Sequence, residues 1–221
     1  MAVHRTRRTQ EARSAETRGK LVDATLRCLD ARGYAGTSTT EICALAGVSR
    51  GAQLHHFPTK IELVTSAVEH LFELRHAEFR RAFAELPPGV GRGGRAVRLL
   101  WQMVSGPTFH AWLELVVAAR TDPELHRAVG AVADRFVATV RRTFEELFPH
   151  PGAKRPLFDL APMFVFALLE GLALGQIVRK DEPQLGELLS ALQALADGIL
   201  PAPLPERSSE PRRRVARKES T

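Results

Sequence analysis

Apolar residues recur three and four positions apart through most of this chain, the spacing of one helical face. Leu21, Val22, Thr25, Cys28 and Leu29 form such a stripe, which breaks near Gly33. Ile42, Leu45 and Ala46 mark a second, shorter one. A long helix is predicted from 60 to about 86, and the glycine-rich stretch 87–94 reads as a loop. Helices over 95–105 and 109–120 follow, broken by Gly106 and Pro107. Thr121, Asp122, Pro123 and Glu124 make a helix start, since proline is tolerated in a first turn. Behind it runs a stripe of Leu125, Ala128, Val129, Val132, Phe136, Val140, Phe144 and Leu147. Residues 149–156 read as a loop, and two strongly apolar helices are predicted near 159–180 and 184–200. Alternation at period two is missing, so the expected fold class is all-α.

Residues 33–63 are dense in local signals. Ser38 and Glu41 have the spacing of a capping box, in which hydroxyl and carboxylate each accept an orphan N–H of the first turn. Gly47 suits the left-handed residue that closes a short helix, and Val48 is an apolar plug behind it. Ser49 is an N-cap for a helix carrying Arg50, Gly51, Ala52, Gln53, Leu54, His55 and His56. Phe57 and Pro58 stop that helix, and Thr59 with Glu62 forms a second capping box. Two short helices about a glycine turn, packed on an earlier helix, form a helix-turn-helix, a unit that lays its second helix in the DNA major groove.

At these residues the chain resembles the tetracycline-repressor (TetR) family. The match runs through Gly33, Tyr34 and Thr37, then Ala46, Gly47, Val48, Ser49, Arg50, Gly51 and Ala52, then His56, Phe57 and Lys60. It covers roughly residues 15–65. Beyond that only the succession of helices agrees, with some likeness at 112–125. The resemblance implies a dimeric repressor with an N-terminal three-helix head and an antiparallel helical domain for ligand binding and dimerisation. The expected organisation is a basic flexible arm over 1–14, the head over 15–62, the effector and dimerisation domain over 63–200, and a disordered basic tail over 201–221.

Two positions depart from the family pattern, which has Leu then Tyr where this chain has Gln53 then Leu54. One reading rotates the recognition helix, turning Leu54 inward and Gln53 outward to pair with adenine. The other keeps a polar Gln at the rim of the core and leaves Leu54 exposed to touch a thymine methyl. Gln53, His55 and Ala52 are the candidates for base contact. Arg50, Thr39, His56 and Lys60 are those for phosphate, with Ser49, Gly51 and Leu54 on the same surface.

Charge supports a polyanionic partner. The net charge is +6, and residues 1–20 hold six basic side chains against two acidic ones. Residues 201–221 hold six against three. Arg5, Arg7 and Arg8 are candidates for a minor-groove arm. No apolar core follows the N-terminal arginines, so a secretory signal is not expected, and a cytoplasmic protein is. The apolar run 160–178 contains Pro162, Glu170 and Gln176, which favours a buried helix over a membrane span. Cys28 and Cys43 both fall on apolar faces of the head, as inert core thiols do.

The last two helices are apolar nearly all round, so each needs two covers. A second copy of the chain is the expected partner there, and Gly171 and Gly175 would permit close helix approach. Candidates for a greasy effector site are Trp101, Met103, Phe109, Trp112, Val116, Met163 and Phe166, a set that would also serve as ordinary core. His110, Glu114 and Glu170 are polar among apolar neighbours; each carboxylate meets an arginine such as Arg120 or Arg179, or orients a ligand.

No metal-binding, phosphate-loop or nucleophile-elbow motif is present, so neither metal, cofactor nor enzymatic activity is expected. The partners expected are double-stranded DNA, a second copy and a small, apolar effector. The alternative is a helical small-molecule-binding protein with a degenerate head; a nucleoid-type protein using its basic tails is a third reading.

Overall fold

A computed structural model describes residues 10–87, 89, 91–148, 156–179 and 184–200. Those residues form nine helices and no strand. Arg5, Arg7 and Arg8, the tail 201–221 and most of the 149–156 loop lie outside the described residues. The arm expected over 1–14 gives way at Gln10, where α1 (Gln10–Gly36) begins. Local pairs support that first stretch: Thr17 Oγ1 donates to the Arg13 carbonyl, and Lys20 meets Glu16 one turn back at 3.0 Å.

The head is built from α1, α2 (Thr39–Ala46) and α3 (Arg50–His56). Leu21, Val22, Ala24 and Cys28 of α1 meet Ile42, Phe57, Leu63 and Ala67 in one buried cluster. The caps form largely as the sequence predicts. Ser38 Oγ accepts from Glu41 N at 3.2 Å, Ser49 Oγ from Ala52 N at 3.2 Å, and Thr59 Oγ1 from Glu62 N at 3.1 Å. Gly47 takes φ 64° at the end of α2. The carboxylate half of the first box is used differently: Glu41 meets Arg32 of α1 at 2.5 Å, which ties α2 to α1. Leu45 is also corrected. It is exposed, and Cys43 takes the inward place beside Ile42.

Helix α4 (Lys60–Ala84) runs from the head into the body. Its Leu63 and Ala67 complete the head core, while Val64 and Val68, one position on, face a second cluster. That cluster joins Leu29 of α1 to Ala111, Leu115 and Ala119 of α6 (Pro107–Ala119) and to Leu125 and Val129 of α7 (Pro123–Leu147). Further along, Phe79 and Phe83 of α4 reach a third cluster with Phe148 and Phe158. Asp122 caps α7, accepting from the backbones of Glu124 and Leu125 at 3.0 Å each, with Pro123 in the first turn.

The stretch 92–94, expected as loop, is the first turn of α5 (Arg92–Val104). The reason is tertiary. Asp197 of α9 (Leu185–Ile199) accepts the Gly94 N–H at 2.7 Å and so caps α5 from across the molecule. A Cβ on Gly93 would stand 2.8 Å from the Ala196 carbonyl, so only glycine admits this close packing. Helix α8 (Pro156–Val178) completes the body.

Helix α1 is broken at Gly33, which has φ 65° and ψ −178°. A Cβ there would lie 2.3 Å from Glu114 Oε2. Gly33→Ala is expected to cost about 1–3 kcal/mol, from the left-handed backbone and from displacing that carboxylate. Urea unfolding measures it. The cost should fall well short of additive when combined with Glu114→Gln, because both changes break one contact.

Candidate nucleic-acid interface and effector cavity

The exposed surface of α3 is formed by Arg50, Gly51, Leu54 and His55, positions three and four apart on one face. Ser49 is exposed at its start; Ala52, His56 and Thr39 are half-buried beside it. Gly51 has open space where a side chain would stand, so a partner surface can approach the backbone there. Gln53 is fully buried and Leu54 is 44% exposed. The rotation of α3 that would turn Gln53 to the bases is therefore corrected. Both ends of the Gln53 amide are used inside the head: Nε2 donates to the Phe57 carbonyl, and Oε1 accepts from Arg50 Nη1 at 2.7 Å. Gln53 thus closes the C-terminal end of its own helix and tethers the guanidinium at its start.

Lys60 is also placed differently from the expectation. Its Nζ donates to the Tyr34 carbonyl at 2.8 Å and sits 4.0 Å from the centre of the Tyr34 ring. Burial lowers its pKa below the ordinary lysine value. The N–H of the same Tyr34 donates to Glu114 Oε2 at 2.9 Å. Burial raises the Tyr34 phenol pKa, and the nearby Asp122 and Glu124 add to the shift. One residue at the break of α1 is thus held from both sides, by the first residue of α4 and by α6. Glu114 takes the Tyr34 N–H rather than Arg120 as its partner; its place is at this joint.

Below the joint, a cavity of about 380 Å³ opens between α4, α5, α6, α7 and α8. Of the ten candidate effector residues, Met103, Phe109, Trp112, Phe166 and Glu170 line it. Trp101, His110, Glu114, Val116 and Met163 do not. Thr108, Phe109 and Trp112 form the inward face of α6, so His110 and Val116 turn to solvent. Met163 lies on the outward face of α8, as does Phe164. The α4 and α7 walls, with Phe72, His76, Phe136 and Thr143, were not read from the sequence as site residues. The signal was there in the α7 stripe, where Phe136 reads equally as core.

Aromatic rings run along one side of the cavity. Trp112 meets Phe72 at 5.4 Å, Phe72 meets Phe136 at 4.8 Å, and Phe136 meets Phe166 at 5.3 Å between centroids. Most polar groups in the wall are matched. Arg135 donates to both carboxylate oxygens of Glu69. Arg75 bonds Glu78 at 2.6 Å and Thr108 at 3.3 Å. His76 Nε2 pairs with Thr143 Oγ1 at 2.7 Å, and burial, with Arg80 adding, holds its pKa below 6.5. Glu170 is half-buried, and burial raises its carboxyl pKa.

Known proteins match both halves. The family model for bacterial regulatory proteins of the tetR family matches residues 21–67, and that for the BetI-type transcriptional repressor C-terminal domain matches 103–201. The HTH-type transcriptional regulator CymR of Pseudomonas putida is 34% identical over 176 residues, 80% of this chain and 87% of CymR. BetI of Paraburkholderia xenovorans, also an HTH-type transcriptional regulator, is 29% identical over 158 residues, 70% of this chain and 78% of BetI. The crystal structure of the transcriptional regulator FadR from Bacillus subtilis in complex with stearoyl-CoA has a TM-score of 0.62 at 14% identity. It covers 82% of this chain and 98% of FadR, a likeness of fold.

Glu170 also makes a testable demand on stability. Its folded pKa lies above the ordinary 4.5, so between the two values the folded chain holds the proton more tightly than the unfolded one. Stability therefore falls as pH rises through that window. Glu170→Gln is expected to unfold at higher denaturant than the native chain at pH 7, with the advantage fading as pH approaches 4.5. Denaturant midpoints across that range check it.

Proposed function

The chain belongs to the TetR family of bacterial regulatory proteins, and from that premise we propose a homodimeric repressor that binds a palindromic operator and is released by a small, largely apolar effector. Such a regulator works in the cytoplasm and carries out no catalytic step. One observation carries the ligand response. Helix α6 bears Thr108, Phe109 and Trp112 on the cavity and, two residues beyond Trp112, Glu114 on the backbone of Tyr34. An effector that displaces Trp112 acts on the same rigid helix that holds the head. It shifts the DNA equilibrium only by the ratio of its affinities for the two head positions.

On the DNA side, the base-facing group of this reading is Leu54 and His55, with Ala52 at the edge. Arg50, Ser49, Gly51, Thr39 and His56 stand toward phosphate. Lys60 acts through Tyr34 and has two further N–H donors for a phosphate. Arg5, Arg7 and Arg8 remain the candidate arm. In this reading the head binds DNA and the body beyond it holds the effector and the dimer face.

Dimerisation is supported by the apolar face that α8 and α9 leave uncovered. Phe164, Leu168 and Leu174 on α8 and Leu188 and Leu195 on α9 are each at least 40% exposed. Helix α8 is long and apolar enough to cross a membrane, yet only a third of its most apolar stretch is buried within one chain. Gly171 and Gly175 face open space, so a neighbouring helix can come close. A second copy on this face makes a four-helix bundle with two-fold symmetry.

Selection of bound duplexes from a random pool, at about 150 mM salt, tests the function. The expected product is a palindrome whose half-site centres lie about 34–36 Å apart, or a multiple of that turn. Absence of enrichment would move the reading to a ligand-binding protein with a degenerate head. Phe164→Glu with Leu174→Glu is expected to halve the sedimenting mass to that of the 24.4 kDa chain and to abolish tight operator binding.

A further inference from the structure

Every arginine that lines the cavity has a carboxylate against it: Arg135 has Glu69 and Arg75 has Glu78. His76 is paired with the neutral Thr143. Glu73 stands at the exposed rim beside His70, 3.8 Å away. Glu170 differs from all of these. It lines the cavity on α8, one turn beyond Phe166, and among the described residues no hydrogen bond or ion pair engages it. A half-buried carboxylate without a partner carries part of the desolvation cost, and that cost is recovered when a ligand supplies the missing donor or charge.

The aromatic row ends at this place. Trp112, Phe72, Phe136 and Phe166 are in ring contact in sequence, and Phe166 is at i−4 from Glu170 on the same helix face. Ring faces and an unpaired carboxylate favour the same ligand property, positive charge. A carboxylate or phosphate ligand would meet the unpaired Glu170 while the cavity's guanidiniums are already engaged. We infer that the cavity takes an organic cation, with its apolar body along the aromatic row and an ammonium group against Glu170. The inference rests on the cavity being the effector site and adds the charge of the effector.

Calorimetric titration of the full chain with three probes of one shape tests it: phenylbutyl-trimethylammonium, phenylbutanol and phenylbutanoate. The ammonium probe is expected to bind about tenfold or more tighter than the alcohol, with the carboxylate weakest. Glu170→Gln should remove that advantage and leave the alcohol's affinity within about twofold. Equal or tighter binding of the alcohol or the carboxylate to the native chain would overturn the charge assignment and leave the effector cavity standing. Unchanged ammonium binding by a folded Glu170→Gln protein would overturn it as well. If none of the three binds, the effector-cavity reading falls together with the inference. The native-chain comparison decides without the variant, so the test survives a variant that does not fold.

Discussion

The backbone of Tyr34 is where the two halves of this molecule are joined. Its N–H goes to Glu114 of α6 and its carbonyl to Lys60 of α4. Both bonds are charge-assisted, roughly twice as strong as neutral ones. They exist because Gly33 turns the chain into the left-handed region just before, breaking α1 and freeing the Tyr34 N–H from the helical ladder. Any other residue at 33 would bring its Cβ onto the Glu114 carboxylate. The Lys60 ammonium is additionally fixed over the Tyr34 ring, so rotation of the joint must break two polar contacts and one cation–π contact together. A joint of that kind has discrete positions rather than a continuum, which is what a switch requires.

Helix α4 makes the joint consequential. Adjacent pairs on it, Leu63 with Ala67 and Val64 with Val68, face two different cores. Neighbouring helical positions point about a hundred degrees apart, so one straight helix belongs to head and body at once. The same helix supplies Phe72, His76 and Phe79 to the cavity wall. Head, joint and cavity are therefore linked by two rigid paths, α4 and α6. A displacement at Trp112, which touches both the cavity and the cluster around Leu115, cannot stay local in a close-packed interior.

What was legible in the sequence was local. The caps at Ser49 and Thr59, the turn at Gly47 and the helix start at 121–124 depend on residues within one turn of each other, and they form where they were read. The tetR-type head was readable for the same reason, being a run of consecutive side chains with fixed roles. Contacts across long separations were not. Glu114 lies eighty residues from Tyr34, and nothing near it in the chain marks it as a cap. Asp197 extends α5 backwards by a turn from more than a hundred residues away. Gln53 shows a subtler limit. Periodicity allowed either Gln53 or Leu54 to face inward, and the choice went to the side chain whose amide closes hydrogen bonds at Phe57 and Arg50. Hydrophobicity alone would have chosen the leucine.

The cavity invites comparison with the joint, since both contain a glutamate among apolar neighbours. Glu114 has a backbone donor, and Glu170 has none among the described residues. An interior built only for stability would fill the position of Glu170 with an apolar or paired residue, because an unpaired carboxylate lowers stability at neutral pH. Its presence in the cavity wall, one turn beyond Phe166, is a local cost without a structural return among the described residues. Native structures keep such costs mainly where a ligand removes them. In a ligand-responsive regulator the cost also has a direction. It is relieved only in the state that can hold the ligand, and so it biases the equilibrium that the joint at Tyr34 transmits to the head.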